Sequence, residues 1–85
     1  MPSVRLLLFA GAREAAGRRD DVVEAATLGD LLAVARDRYG AEFCGVLDAS
    51  RIWLNGDDPA SGLATALTDG DEVAILPPVS GGGGE

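Results

Sequence analysis

The sequence predicts a small α+β domain: a mixed sheet of about four to five strands packed on one main helix, with a flexible glycine-rich end. Three observations carry this. Apolar runs stand near both ends, Val4-Arg5-Leu6-Leu7-Leu8-Phe9-Ala10 and Glu72-Val73-Ala74-Ile75-Leu76. One helical stripe lies between them. Four glycines follow the pair Pro77-Pro78. The body is expected over residues 1–78 and the tail over residues 79–85.

The first apolar run is nearly continuous, which predicts a strand covered on both faces and central in its sheet. Ala12, Ala15 and Ala16 can form one helical turn before Gly17 breaks it. Residues 20–26, around Val22-Val23, read as a second strand, antiparallel to the first. Thr27 is an N-cap candidate, with Asp30 three residues later. Leu28, Leu31, Leu32, Ala35 and Tyr39 then follow at spacings of 3, 1, 3 and 4, one apolar stripe on a helix that Gly40 stops. Residues 41–50 read as an irregular connection offering Phe43, Val46 and Leu47 to the core, with Cys44 as a small buried hydrophobe. Arg51-Ile52-Trp53-Leu54 is a strand that ends at the turn pair Asn55-Gly56. Residues 57–68 are a loop with room for a helical turn around Leu63–Leu67. Thr68-Asp69-Gly70-Asp71 is a tight turn feeding the last strand, which Pro77-Pro78 ends. Two apolar strands joined through a distant crossover are parallel neighbours, so the sheet should grip the helix.

Composition removes several kinds of chemistry. The chain of 85 residues has no histidine, hence neither the commonest general base nor the commonest metal ligand. One cysteine excludes an internal disulfide, and no Cys and carboxylate cluster has metal-site spacing. No catalytic residue, metal or bound cofactor is expected. All seven basic residues are arginines; against fourteen carboxylates they leave a formal charge of −7. Such a surface repels nucleic-acid phosphates and anionic membranes, and its field suits a basic protein partner. The apolar run after Arg5 is at the lower limit for a signal peptide, and cleavage there would delete the best strand, so a cytoplasmic location is expected.

The acidic pairs Asp57-Asp58 and Asp69-Gly70-Asp71-Glu72 sit in turns, where Asp and Gly serve backbone geometry. The tail is more informative. Prolines favour an extended exit, and the glycines offer a backbone without Cβ atoms that can thread a narrow channel in another protein. A glycine carboxylate is also unhindered for attack on phosphorus or carbon.

Leu67-Thr68-Asp69-Gly70-Asp71-Glu72-Val73-Ala74-Ile75-Leu76-Pro77-Pro78-Val79-Ser80-Gly81-Gly82 closely resembles the C-terminal signature of the small subunit of molybdopterin synthase. Leu8-Phe9-Ala10 and Arg13-Glu14-Ala15-Ala16-Gly17 resemble that family's first strand and following turn. The C-terminal motif is shared with the ubiquitin-like sulfur carriers as a group, and Gly62-Leu63-Ala64-Thr65-Ala66-Leu67 resembles the carriers of cysteine synthesis, so the resemblance also allows a thiocarboxylate carrier for cysteine or another sulfur metabolite. The resemblance implies a ubiquitin-like β-grasp fold. It also implies a ubiquitin-activating-like adenylyltransferase that uses ATP to adenylate the terminal glycine, which is then converted to a thiocarboxylate. The tail then enters the large subunit of molybdopterin synthase, where the catalytic residues reside. The family's terminal glycine pair maps to Gly81-Gly82, so Gly82 would bear the adenylate and thiocarboxylate, and Pro78, Val79, Ser80 and Gly81 would be recognised in the channel.

The sequence departs from the family at one place: Gly83-Gly84-Glu85 follow the pair. Adenylation needs a free carboxylate, and that of Gly82 is in a peptide bond. A tail-trimming protease is one resolution, cutting after Gly82 or, by loss of Glu85 alone, freeing Gly84 as the alternative; activation elsewhere is another. The remaining one is a β-grasp interaction module that carries no sulfur. The sheet face opposite the helix, beside the tail exit, is expected to meet the partner through Phe9 and Leu76.

Overall fold

A computed structural model describes residues 1–78. The elements run β1 (Ser3–Leu8), α1 (Ala10–Ala16), β2 (Asp20–Glu24), α2 (Leu28–Tyr39), α3 (Ala41–Asp48), β3 (Arg51–Leu54), a 3₁₀ turn (Gly62–Ala64) and β4 (Glu72–Leu76). The sheet order is β2-β1-β4-β3. β1 pairs antiparallel with β2 and parallel with β4, and β3 pairs antiparallel with β4. The two apolar strands are therefore central and parallel. This is the β-grasp arrangement of ubiquitin-like domains.

One face of the sheet makes the core. Val4, Leu6 and Leu8 of β1, Val23 of β2, and Val73 and Ile75 of β4 join Leu28, Leu31, Leu32 and Ala35 of α2 in a single buried cluster. α2 forms where its stripe predicts. Thr27 caps it, its hydroxyl accepting from the Asp30 N–H at 3.2 Å, and the Gly40 N–H closes it on the Arg36 carbonyl at 3.0 Å. Each large side chain buried here contributes about 1.5–3 kcal/mol.

Four expectations are corrected. Residues 41–50 are mostly helix: α3 buries Phe43 and Leu47, four apart on one face, and half-buries Val46. Gly40, at φ 94°, redirects the chain between α2 and α3, a conformation costly for any residue with a Cβ. Cys44 is half-buried rather than buried. α1 runs seven residues, not one turn, before Gly17 at φ 77° ends it. β1 is covered on one face only; Arg5 is exposed and Leu7 half-buried on the other. Its central place comes from its two pairing partners, and its apolar outer residues are left for something else.

Candidate functional site

Parallel pairing of β1 with β4 brings the end of the first strand beside the end of the last, Leu8 opposite Ile75. At this end of the sheet the chain continues through Leu76, Pro77 and Pro78 toward the tail. Proline has no N–H to extend the ladder, so β4 stops here. Leu76 and Pro77 are half-buried and Pro78 is exposed. Val79, Ser80, Gly81, Gly82 and Gly84 lie outside the described residues.

Phe9 sits one residue beyond β1, at the N-cap of α1, with its ring 45% exposed. Its N–H donates to the Ile75 carbonyl at 3.3 Å, which ties it to the tail strand. Ala10, next in the chain, has φ 50°, a left-handed backbone that an L-residue with a Cβ adopts at a cost of about 1 kcal/mol or more. The strain turns the chain from strand into helix within one residue. Around Phe9, the residues Leu7, Leu8, Arg13, Arg19 and Asp20 line an open groove of about 250 Å³.

Leu76 is paired with Arg51, and the neighbouring pair is Ala74 with Trp53. A second open groove, about 340 Å³, lies between Ala49, Arg51, Trp53, Leu76, Pro77 and Pro78. Leu7, Ala74 and Trp53 follow one another across the outer face in register. The small Ala74 between them leaves Trp53 38% exposed. Trp53 was not among the residues singled out from the sequence. The signal was present: Ile52 and Leu54 oppose Ile75 and Val73, so alternation places Arg51 and Trp53 outward.

The other end of the sheet is built from hydrogen bonds. The Asp71 carboxylate accepts from the Thr68 N–H at 2.8 Å, the Thr68 hydroxyl at 2.9 Å and the Asn55 amide at 3.1 Å. These donors, the Thr68 N–H first, hold its pKa below the usual carboxylate range. Asn55 also accepts from the Glu72 N–H at 2.9 Å, and Asp69 accepts from the Ser3 N–H at 2.8 Å. The carboxylates of this turn are thus occupied with backbone geometry, as their sequence context implies. Asn55 and Gly56, at φ 51° and 86°, form the tight turn between Leu54 and Asp57.

A third polar cluster fastens β2 to the end of α2. Asp21 accepts from Tyr39 Oη at 2.5 Å and from Arg38 at 2.8 Å, and Arg18 lies 3.2 Å away. Burial opposes its ionisation, yet the bonds from Tyr39, Arg38 and the Val22 N–H together outweigh burial and bring its pKa down to about 2. Burial and the Asp21 carboxylate push the Tyr39 hydroxyl up to about 12. Among the described residues no three His, Cys, Asp or Glu are grouped to hold a metal ion, and no helix is long and apolar enough to cross a membrane. What the described residues provide is a tail-bearing strand end flanked by an aromatic ring on either side.

The ThiS family profile matches residues 6–82. The chain is 38% identical over 82 residues to the molybdopterin synthase sulfur carrier subunit of Chlamydomonas reinhardtii, covering 93% of this chain and 98% of that one. The solution structure of small archaeal modifier protein 1 from Methanosarcina acetivorans superposes with a TM-score of 0.84 at 33% identity, covering 95% and 97% of the two chains. A protein–protein complex of subunits 1 and 2 of the molybdopterin-converting factor from Helicobacter pylori contains a chain matched with a TM-score of 0.70 at 28% identity, over 93% of this chain and 97% of that one. Family match, β-grasp topology and tail-bearing strand agree: the chain belongs to the ThiS family of ubiquitin-like sulfur carriers.

Proposed function

We propose that this chain is the sulfur-carrying small subunit of a molybdopterin synthase, working in the cytoplasm. The observation that carries the reading is the family match reaching Gly82, the second glycine after an exposed proline exit. The carboxylate of Gly82, once freed, attacks the α-phosphorus of ATP on a ubiquitin-activating-like adenylyltransferase and pyrophosphate leaves. Hydrosulfide then attacks the acyl carbon, the bond to AMP breaks, and loss of the thiol proton leaves a thiocarboxylate. The loaded tail enters the large subunit, which supplies the catalytic groups; the carrier supplies sulfur. The likeness to a named sulfur carrier subunit and to a chain solved within a two-subunit complex supports this assignment.

In the sequence Gly82 is followed by Gly83-Gly84-Glu85, so the reading requires a protease that cuts after Gly82. An adenylation assay tests it. The chain ending at Gly82 should be activated and the full-length chain should be inert. A chain ending at Gly81 should fail, being short by roughly 3.3–3.6 Å of extended backbone. Activity confined to the version ending at Gly84 would move the reactive carboxylate there. Equal activation of full-length and trimmed chains would overturn the trimming. Intact mass of the native protein, ending at Gly82 with sulfur in place of one oxygen, would identify the product.

The likeness to a small archaeal modifier protein favours one second reading, in which the activated carboxyl passes to an amine of a target protein. The chain has no lysine, so under this reading its side chains offer no amine on which further carriers could be linked. Mass spectrometry of cell extracts for glycine-linked conjugates separates the two.

A further inference from the structure

The arginines divide into two groups. Arg5, Arg18, Arg36 and Arg38 each lie within ion-pair distance of a carboxylate of the same chain. Arg13, Arg19 and Arg51 do not, among the described residues. In a chain with twice as many carboxylates as arginines, three unpaired guanidiniums are unexpected, and all three stand at one end of the sheet. The Arg19 carbonyl accepts from the Leu8 N–H at 2.8 Å, Leu8 opposes Ile75, and Arg51 opposes Leu76. Arg19 and Arg51 therefore flank the tail-bearing strand end, three strand spacings or roughly 14 Å apart. Arg13 and Arg19 line the groove at Phe9, and Arg51 lines the groove at Trp53. Asp20, the one carboxylate lining either groove, is 3.8 Å from Arg5. At the opposite end of the sheet stand Glu24, Asp57, Asp69, Asp71 and Glu72, so the excess negative charge is concentrated away from the tail.

We propose that Arg13, Arg19 and Arg51 form a cationic collar around the tail exit that docks on carboxylates flanking the channel mouth of the adenylating enzyme, with Phe9 and Trp53 seated between them. This rests on the carrier reading and names the partner chemistry of its site. It also reverses what net charge alone implies: the contact surface is basic and its partner acidic. An acidic channel mouth repels this molecule in most orientations, because the field of the far end dominates at a distance. It attracts the molecule when the tail leads. Charge polarity therefore selects the orientation in which the tail can enter. Arginine suits the task, since its planar guanidinium binds a carboxylate through two parallel hydrogen bonds while its flat face lies against an aromatic ring.

The test uses the form of the chain that the adenylation assay finds active and the adenylyltransferase of the source organism, with affinity measured at low salt. The double variant Arg19→Gln/Arg51→Gln should bind roughly tenfold more weakly. Arg19→Lys/Arg51→Lys should stay within about threefold of the parent, because it keeps the charge. The pair Ala60→Glu/Ala64→Glu, on the exposed loop at the other end of the sheet, changes the net charge by the same amount away from the collar and should stay within about twofold. Urea midpoints of all three are expected to match the parent. Equal weakening by the distant pair would assign the effect to bulk charge and overturn the collar. Unchanged binding of the Gln double variant would overturn it too. In both cases adenylation of the parent leaves the carrier reading standing. A parent chain that the enzyme neither binds nor activates would overturn both.

Discussion

The chain has two phenylalanines, and the two faces of its sheet use them in opposite ways. Phe43 of α3 is fully buried on the helix-covered face, its ring edge-on to Tyr39 at 5.0 Å. Phe9 stands at the rim of the open face, 45% exposed, immediately before the strained backbone of Ala10. The covered face carries Leu6, Leu8, Val73 and Ile75; the open face carries Leu7, Trp53, Ala74 and Leu76. Both are apolar. What separates them is closure: the covered face is sealed by three helices and by the Asp21–Tyr39–Arg38 bonds, whereas the open face ends in arginines that pair with no carboxylate among the described residues and in the root of the tail. An apolar face left uncovered beside the root of the tail is a face suited to a partner.

The largest effect that tests this contrast is Phe43→Ala, which should cost about 3–5 kcal/mol in urea denaturation, most of the stability of a domain this small. A cost near that of Phe9→Ala would erase the distinction between the faces. Next comes the seal at the edge of the covered face. The pKa of Asp21 lies below its unfolded value, so its contribution is complete above about pH 4 and is lost as pH falls toward 2. Stability should drop by roughly 2 kcal/mol across that window, and Asp21→Asn should flatten the acid limb. At the alkaline side Tyr39 acts with the opposite sign, its share fading as pH rises from about 10 to about 12. Asp71→Ala, which frees the turn at the far end, should cost about 1–2 kcal/mol with little change in partner affinity.

Smaller stability effects belong to the open face. Phe9→Ala and Trp53→Ala should each cost under about 1 kcal/mol in denaturation yet weaken partner binding about tenfold or more. Parallel losses in the two assays would mean that these rings belong to the fold after all. Breaking the surface pair Arg36–Asp48 should change stability by no more than about 0.5 kcal/mol.

The sequence makes the regular parts of this molecule legible where periodicity and punctuation agree. The stripe from Leu28 to Tyr39, bounded by Thr27 and Gly40, and the strand Arg51–Leu54 stopped by Asn55-Gly56, are visible because each pattern has one geometric solution. α3 is harder to read. Gly45 and Cys44 weaken its helix propensity, and its short stripe of Phe43, Val46 and Leu47 means little until a core exists to receive it. The openness of the outer face is likewise a tertiary fact: Leu6 and Leu7 look alike in sequence, and only pairing decides which is buried. Trp53 was legible by alternation from Ile52 and Leu54, but a lone aromatic in a short apolar strand reads as core until the neighbouring strand is known. The arginine collar could not be read from the chain at all. Residue 51 comes to the same end of the sheet as residues 13 and 19 only through the pairing of β1 with β4 and of β4 with β3.

That pairing has a consequence in time. Residues opposite one another in β1 and β4, such as Arg5 and Glu72, are 67 residues apart. The chain must therefore close its longest loop before the first strand gains its second partner. The strand that completes this closure is the same one that carries the tail. During synthesis or refolding, a half-formed domain can have its hairpin and α2 in place and still lack the strand end from which the tail leaves. The tail becomes presentable at the step that finishes the core, and any fluctuation that releases β4 withdraws it. Under the proposed carrier function, an enzyme that recognises the end of β4 tests, in the same contact, whether the rest of the chain has folded.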